Sequence, residues 1–366
     1  MTTTIPSTMM TMTMMMGAVV NHTRADKSMK IIYSDKQKPF KPRWEWNFGK
    51  KAPYPEKNSR VEIIVRALKK RGYGGDLVQA KSQALKHVLA IHDLDMVRHI
   101  QACRDMPEGQ AVHAHIFPYR TYEKHPKTDL RRAGYYCFDV GTQIDRTTFD
   151  AAKSAVDAAL HGAKMLLQEK ETCVFALSRP PGHHADTSVY GGYCYFNNAA
   201  IAAYYLSRRG RVSIVDLDFH HGNGTQSIFY EVPHISFASL HADPRRAYPY
   251  FCGFASERGA GLGKSANLNV PLPAGVDDAT YLDHLERVLR RVRRWSPTFL
   301  VLSLGFDTFC DDPLGDFELS SDCYGEIGAR IRRLQLPTLI CLEGGYAIKA
   351  LGDNAANFCD GLCRQD

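Results

Sequence analysis

Asp216-Leu217-Asp218-Phe219-His220-His221-Gly222-Asn223-Gly224 follows directly on the apolar run at residues 212–215, so a cluster of carboxylates, imidazoles and glycines begins where a strand should end. Side chains two apart on an extended segment point the same way, which lets Asp218 and His220 reach one ion. Outward from this stretch, short apolar runs at 173–177, 234–240, 299–304 and 338–342 alternate with helical patterning. The helices are expected at 149–169, 198–208, 281–295 and 321–334. In the first of them Ala155, Val156, Ala159, Leu160, Ala163 and Leu167 share one face. Strands alternating with helices predict an α/β fold on a mostly parallel sheet.

Four further polar clusters sit at the ends of these strands. They are Arg179-Pro180-Pro181-Gly182-His183-His184, Ser239-Leu240-His241, Leu304-Gly305-Phe306-Asp307 and Glu343-Gly344-Gly345-Tyr346. Ligands of open α/β sheets bind outside the carboxyl ends of the strands, so all five clusters converge on one region. A paired histidine can cap a helix, and a strand-end aspartate can simply accept backbone hydrogen bonds. Five such clusters at one sheet edge call for chemistry instead. Asp307 adds a third ligand to Asp218 and His220, giving three protein ligands and an open position, as a hydrolytic zinc requires. Two carboxylates and one imidazole select less sharply for zinc than three histidines, so ferrous iron stays open.

The motifs, in this order and spacing, resemble those of the histone deacetylase and acetylpolyamine amidohydrolase superfamily, with the acetylpolyamine amidohydrolases the better fit. The likeness runs from Met29 to the C-terminus. It implies a single-domain arginase-deacetylase fold, a largely parallel eight-stranded sheet with helices on both faces. It implies zinc on Asp218, His220 and Asp307, and His183 and His184 beside the zinc-activated water. His184 would act as general base and then general acid. Tyr346 would donate to the substrate carbonyl, so that the developing oxyanion is held from two sides. Asp216 would orient His183 and Asn223 would orient His184. Asparagine at 223 resembles the branch that holds the class II deacetylases and the polyamine enzymes. A neutral amide stabilises the imidazolium less than a carboxylate does, which favours His184 as a base. The carbonyls of Asp216, Asp218, His220 and Leu240, with the Asp216 and Ser239 side chains, resemble the inner potassium site of the family.

Substrate choice rests on the rim. Tyr193 and Phe251 match positions whose rings line a narrow alkyl slot in relatives, and Gly192 matches one whose carbonyl accepts from the substrate amide. Residues 106–145 are polar and aromatic-rich, and read as a long ordered loop. Loops of that length are uncommon unless functional. This one resembles the insertion through which acetylpolyamine amidohydrolases form homodimers and narrow each other's active-site mouth. A small acetylated amine of the acetylputrescine or acetylcadaverine type is therefore expected as substrate, with a class II type protein lysine deacetylase as the alternative. Glu108, on the same loop, is the candidate partner for the distal ammonium.

Bulk properties agree with a globular enzyme: 366 residues, 44% hydrophobic and 23% charged. The formal charge of +7 falls largely in helical stretches such as Arg287, Arg290, Arg291, Arg293 and Arg294, with no nucleic-acid-binding motif beside it. No nucleic-acid partner is expected. The 10 cysteines lack paired spacing, which points to a reducing cytoplasm. No stretch is apolar enough to span a membrane. Residues 1–28, rich in Thr and Met, read as a flexible extension before a deacetylase domain at 29–366. Other chemistries lack their residues. The run Arg258 to Ser265 ends like a phosphate loop but has Arg where the first glycine belongs, and no G-x-S-x-G elbow or HExxH helix occurs. A binuclear manganese ureohydrolase would need carboxylates where Gly222 and Phe309 stand.

Overall fold

The computed structural model describes residues 29–118, 132–168 and 171–363. The extension at 1–28 and the middle of the long loop, 119–131, lie outside the described residues. Its strands are β1 (Met29–Tyr33), β2 (Trp44–Asn47), β3 (Lys50–Pro53), β4 (Leu77–Gln79), β5 (Ala111–Val112), β6 (Ile144–Asp145), β7 (Cys173–Ala176), β8 (Val212–Asp216), β9 (Ile235–Ala242), β10 (Asn267–Leu272), β11 (Phe299–Leu304) and β12 (Thr338–Leu342). Its helices are α1 (Ser59–Lys70), α2 (Leu94–Gln101), α3 (Ala133–Tyr136), α4 (Thr148–Leu167), α5 (Asn198–Leu206), α6 (Asn223–Phe229), α7 (Asp278–Trp295), α8 (Ser321–Arg332) and α9 (Leu351–Cys363).

Eight strands form one sheet in the order β10-β9-β8-β11-β12-β7-β1-β4, and every pairing in it is parallel. The expected α/β fold with a parallel eight-stranded sheet is thus observed. A parallel sheet is covered on both faces, so its strands are apolar throughout and their side chains divide by alternation. Leu300 and Leu302 of β11 join one buried cluster with the inner faces of α1, α7, α8 and α9. Val301, between them, joins the cluster on the opposite face under α4 and α5. Helix α7 shows how the sequence produces its elements. Asp277 caps it by accepting the amide of Thr280 at 2.9 Å, and Tyr281, Leu285, Val288, Leu289 and Val292 form its buried stripe.

The chain leaves β7, crosses to β8, β9 and β10 at one side, then returns to place β11 and β12 between β8 and β7. The carboxyl ends of β7, β8, β11 and β12 therefore meet around one crevice, the switch point of the sheet. Two small antiparallel pairs stand apart from the sheet. β2 and β3 make a hairpin, and β5 pairs with β6 to close the base of the long loop.

A buried charge network underlies this crevice. Glu56 Oε1 accepts from Arg60 Nη1 at 3.0 Å and from Arg179 Nε at 2.7 Å, and all three side chains are fully buried. Arg60 also donates to the carbonyls of Gly345 at 2.7 Å and Glu343 at 2.5 Å, which ties α1 to the segment after β12. Replacing Glu56 by Gln leaves two buried guanidiniums without their carboxylate. It should destabilise the fold by about 3–5 kcal/mol, measured by urea unfolding.

Candidate active site

Asp216 closes β8, and from there the chain turns on its own carboxylates. Asp216 Oδ1 accepts the amide of Asp218 at 3.1 Å, and Asp218 Oδ1 accepts the amide of His220 at 2.9 Å. These two Asx-type bonds replace the strand ladder and curl the segment over the sheet edge. The segments that follow two other strands lock the curl in place. Asp307, after β11, accepts the amide of Phe219 at 3.0 Å, and Gly344, after β12, donates its amide to Asp218 Oδ2 at 2.7 Å. One donor atom each from Asp218, His220 and Asp307 then lies within 4.8 Å of the others. His220 Nδ1 is 3.1 Å from Asp307 Oδ2 and 3.4 Å from Asp218 Oδ1.

The electrostatics of this trio demand positive charge at its centre. Burial, and then Asp218 alongside, push the Asp307 carboxyl up to about 7. Burial opposes the charge on His220, but hydrogen bonds to Asp218 and Asp307 outweigh it and push the imidazole up to about 9. Asp218 is held below the usual carboxylate range because His183 and His220 outweigh the effect of its burial. Two carboxylates and an imidazole converging in a buried pocket fit a divalent cation. A second trio, His183, Cys194 and Glu343, is equally compact but already satisfied. Glu343 accepts from the amides of Gly182 and His183 and from Ser303, while burial keeps the Cys194 thiol protonated.

His183 and His184 lie against this centre, their ring centroids 4.0 Å apart. His183 Nδ1 is 3.0 Å from Asp216 Oδ2. Burial works against its charge, but Asp218 and Asp216 push it up to about 10. His184 Nδ1 is 2.7 Å from Asn223 Oδ1, and an amide oxygen can only accept, so Nδ1 carries the hydrogen and Nε2 keeps its lone pair. Burial, with His183 and His220 close by, holds His184 well below the usual imidazole range. Tyr346 is buried on the other side. Its amide and that of Ala347 donate to Asp312 Oδ2 at 2.6 and 2.9 Å, and the Arg60 guanidinium lies 5.1 Å from its ring. Burial raises the phenol well above 10, against the pull of Arg60, so it remains an O–H donor.

The histone deacetylase domain model matches residues 54–362, which include every strand end of this centre. The chain belongs to the histone deacetylase family. It is accordingly a deacetylase, a hydrolase of linear amides. Acetylpolyamine amidohydrolase 2 of Pseudomonas aeruginosa is 41% identical over 341 residues, covering 91% of this chain and 98% of that protein. Acetylpolyamine amidohydrolase of Mycoplana ramosa is 37% identical over 342 residues, covering 91% and 99%. The crystal structure of acetylpolyamine aminohydrolase from Burkholderia pseudomallei superimposes with a TM-score of 0.87 at 35% identity, covering 92% of this chain and 98% of that one.

In the deacetylase a cavity of about 590 Å³ opens onto the trio, walled by Tyr193, Tyr248, Gly192 and Leu314. Gly192 must be glycine. Its φ is +58°, and a Cβ there would stand 2.2 Å from His184 Cδ2. The ring of Tyr193 lies 5.9 Å from that of Tyr346.

Two expected rim residues are elsewhere. Phe251 is 92% exposed and does not line the cavity. The segment doubles back at Pro249, whose carbonyl accepts the amide of Phe251 at 2.8 Å, and Tyr248 takes the inner place, its ring 5.0 Å from His184. Glu108 is also absent from the wall. A turn from Pro107 to Gln110 carries it outward, where its side chain is 91% exposed and 3.8 Å from Arg146.

Outside the trio, Glu45 of β2 faces the cavity, hydrogen-bonded to Tyr193 and pushed up to about 7 by its burial, whereas the lining Asp316 is already paired with Arg246. Sequence reasoning missed Glu45, together with Tyr248, Arg60 and Asp312. Only Tyr248 carried a signal, as the first ring of an aromatic run. Asp139 also lines the cavity, but its carboxylate already accepts from Gly192, Tyr248 and twice from Thr142.

The convergence of Asp218 and Asp307 depends on the lack of a side chain at 305. A Cβ there would lie 2.3 Å from Asp218 Oδ2 and 2.6 Å from Asp307 Oδ1. Gly305→Ala should therefore weaken divalent-metal binding by on the order of tenfold to a hundredfold in a chelator competition, with circular dichroism unchanged.

Proposed function

We propose that this deacetylase removes the acetyl group from acetylated polyamines of the acetylputrescine and acetylcadaverine type, with zinc held by Asp218, His220 and Asp307. The observation that carries the substrate class is Glu45, a carboxylate in the cavity wall with no cationic side chain paired to it among the described residues. A bound diamine would supply that cation. The full-length likeness to proteins named acetylpolyamine amidohydrolase supports the same reading.

Zinc at the trio would polarise the acetamide carbonyl and make water a competent nucleophile near neutral pH. His184 takes the proton of the attacking water at Nε2 and passes it to the amine nitrogen as the C–N bond breaks, releasing acetate and amine. His183, steadied by Asp216, orients the water. The Tyr346 hydroxyl donates to the carbonyl oxygen as charge develops on it. Arg60 and Asp312 position Tyr346 through its backbone. Tyr193 and Tyr248 enclose the alkyl chain, and the Gly192 carbonyl receives the substrate amide.

The finer assignments belong to the same reading. Potassium is assigned to the carbonyls of Asp216, Asp218, His220 and Leu240 with the side chains of Asp216 and Ser239, supported by the pairing of Asp216 with Ser239 across β8 and β9. A homodimer through residues 106–145 is supported by the exposed Ile116 and Phe117 on that segment. Ten free cysteines accord with the cytoplasm. The deacetylase domain is taken as residues 29–366, following an N-terminal extension at 1–28.

Zinc-loaded enzyme should hydrolyse acetylputrescine and acetylcadaverine well ahead of an acetyl-lysine peptide, and Tyr346→Phe should lose on the order of a hundredfold in kcat. Preference for the peptide would replace this reading with that of a protein lysine deacetylase. A pH profile tests Glu45. With a pKa of about 7 it is mostly neutral at pH 6 and mostly ionised at pH 8, whereas the substrate ammonium is charged at both. KM for acetylputrescine should fall as pH rises across that interval. Glu45→Gln should remove the slope and raise KM on the order of tenfold, with uncharged N-butylacetamide showing neither effect.

A further inference from the structure

The β2–β3 hairpin, which walls one side of the mouth, contains a residue that its own turn disfavours. Asn47 pairs with Lys50, so Phe48 and Gly49 are the two central residues of the turn. Both have positive φ, 45° and 75°. Two-residue hairpins of this shape favour Asn-Gly, because most side chains crowd the backbone in the left-handed region. A phenylalanine there needs a compensating contact, and none is present, for its side chain is 88% exposed. Strain without packing is characteristic of residues kept for function.

The position of Phe48 shows what it could contact. It lines the cavity together with Glu45, Trp46, Asn47 and Gly49. Alternation along β2 sets Glu45 and Asn47 on the face opposite Trp44 and Trp46. Trp44 holds a stack of its own, its ring 5.6 Å from that of Trp46 and 4.5 Å from that of His113, with Lys51 4.4 Å above it. Glu45 is buried and Phe48 exposed, so a chain leaving the cavity passes the carboxylate first and the ring second.

We infer that Phe48 is a specificity-determining residue, whose ring receives the outer alkylammonium of an acetylated polyamine long enough to extend past Glu45. This rests on the polyamine reading and refines it: a substrate with one distal cation satisfies Glu45, and one with two gains the aromatic face as well. The attraction is that of an alkylammonium for an aromatic face, reinforced by apolar contact with the methylenes.

The test compares N-acetylputrescine, N1-acetylspermine and N-butylacetamide on wild type, Phe48→Asn and Phe48→Leu. Phe48→Asn introduces the residue the turn prefers, so its melting temperature should hold or rise. KM for N1-acetylspermine should nevertheless increase about three- to fivefold at unchanged kcat, with the other two substrates unaffected. Phe48→Leu keeps apolar bulk without the π face and should fall between. An equal rise in KM for N-butylacetamide, or a loss of kcat on all three substrates, would mean that Phe48 only shapes the hairpin. Active wild type with a KM pattern unmoved by either variant overturns this inference alone. Wild type inactive on both acetylated amines overturns the polyamine reading and this inference with it.

Discussion

Two carboxylates that ordinary electrostatics would keep apart, Asp218 and Asp307, are buried within reach of one another, and most of the molecule serves that arrangement. Neither could stay there unaided, because burial and mutual repulsion both favour the neutral acid. The backbone offsets part of the cost with the amides of Phe219, after β8, and Gly344, after β12. His220 supplies positive charge between them. Gly305 and Gly344, which pack against the pair, have no side chain to separate it. A parallel sheet suits the task because it fixes four strand ends side by side, with helices on both faces to hold them in register.

The candidate catalytic residues sit on this rigid edge, and the residues proposed to choose the substrate sit on what surrounds it. His183, His184, Asp216 and Asn223 are tied by short hydrogen bonds to main chain or to each other. Tyr346 is set from beneath by Arg60 and Asp312 rather than by its own hydroxyl. The wall of the cavity comes from segments outside the sheet. The base of the long loop and the turn around Tyr248 meet at Asp139, which accepts four hydrogen bonds that hold the loop against Gly192 and Tyr248.

How much of this was legible follows from the range of the interactions involved. Strands β8, β11 and β12 are continuous apolar runs bounded by polar clusters, and they occupy the residues expected of them. β10 went unrecognised because Asn267, Asn269 and Pro271 interrupt its apolar pattern, and its role as an edge strand tolerates them. Helix α1 was also missed, although its buried side includes Val61, Ile64 and Leu68. At the centre the motifs are local, so Asp218, His220 and Asp307 came together as expected. The rim is not local. Whether Tyr248 or Phe251 faces inward depends on one turn at Pro249, and whether Glu108 or Glu45 reaches the cavity depends on how two loops distant in sequence pack. Arg60 lies within a helix and carries no mark that it serves a tyrosine 286 residues further on.

The β2–β3 hairpin shares no ladder with the main sheet and supplies none of the groups that hold the metal. Its ten residues can therefore change by single substitutions without endangering the catalytic edge. Selectivity in such an enzyme is separable from turnover, and a lineage could drift from one polyamine to another, or toward new amides, by altering a peripheral ribbon while its hydrolytic centre stays under unrelaxed selection.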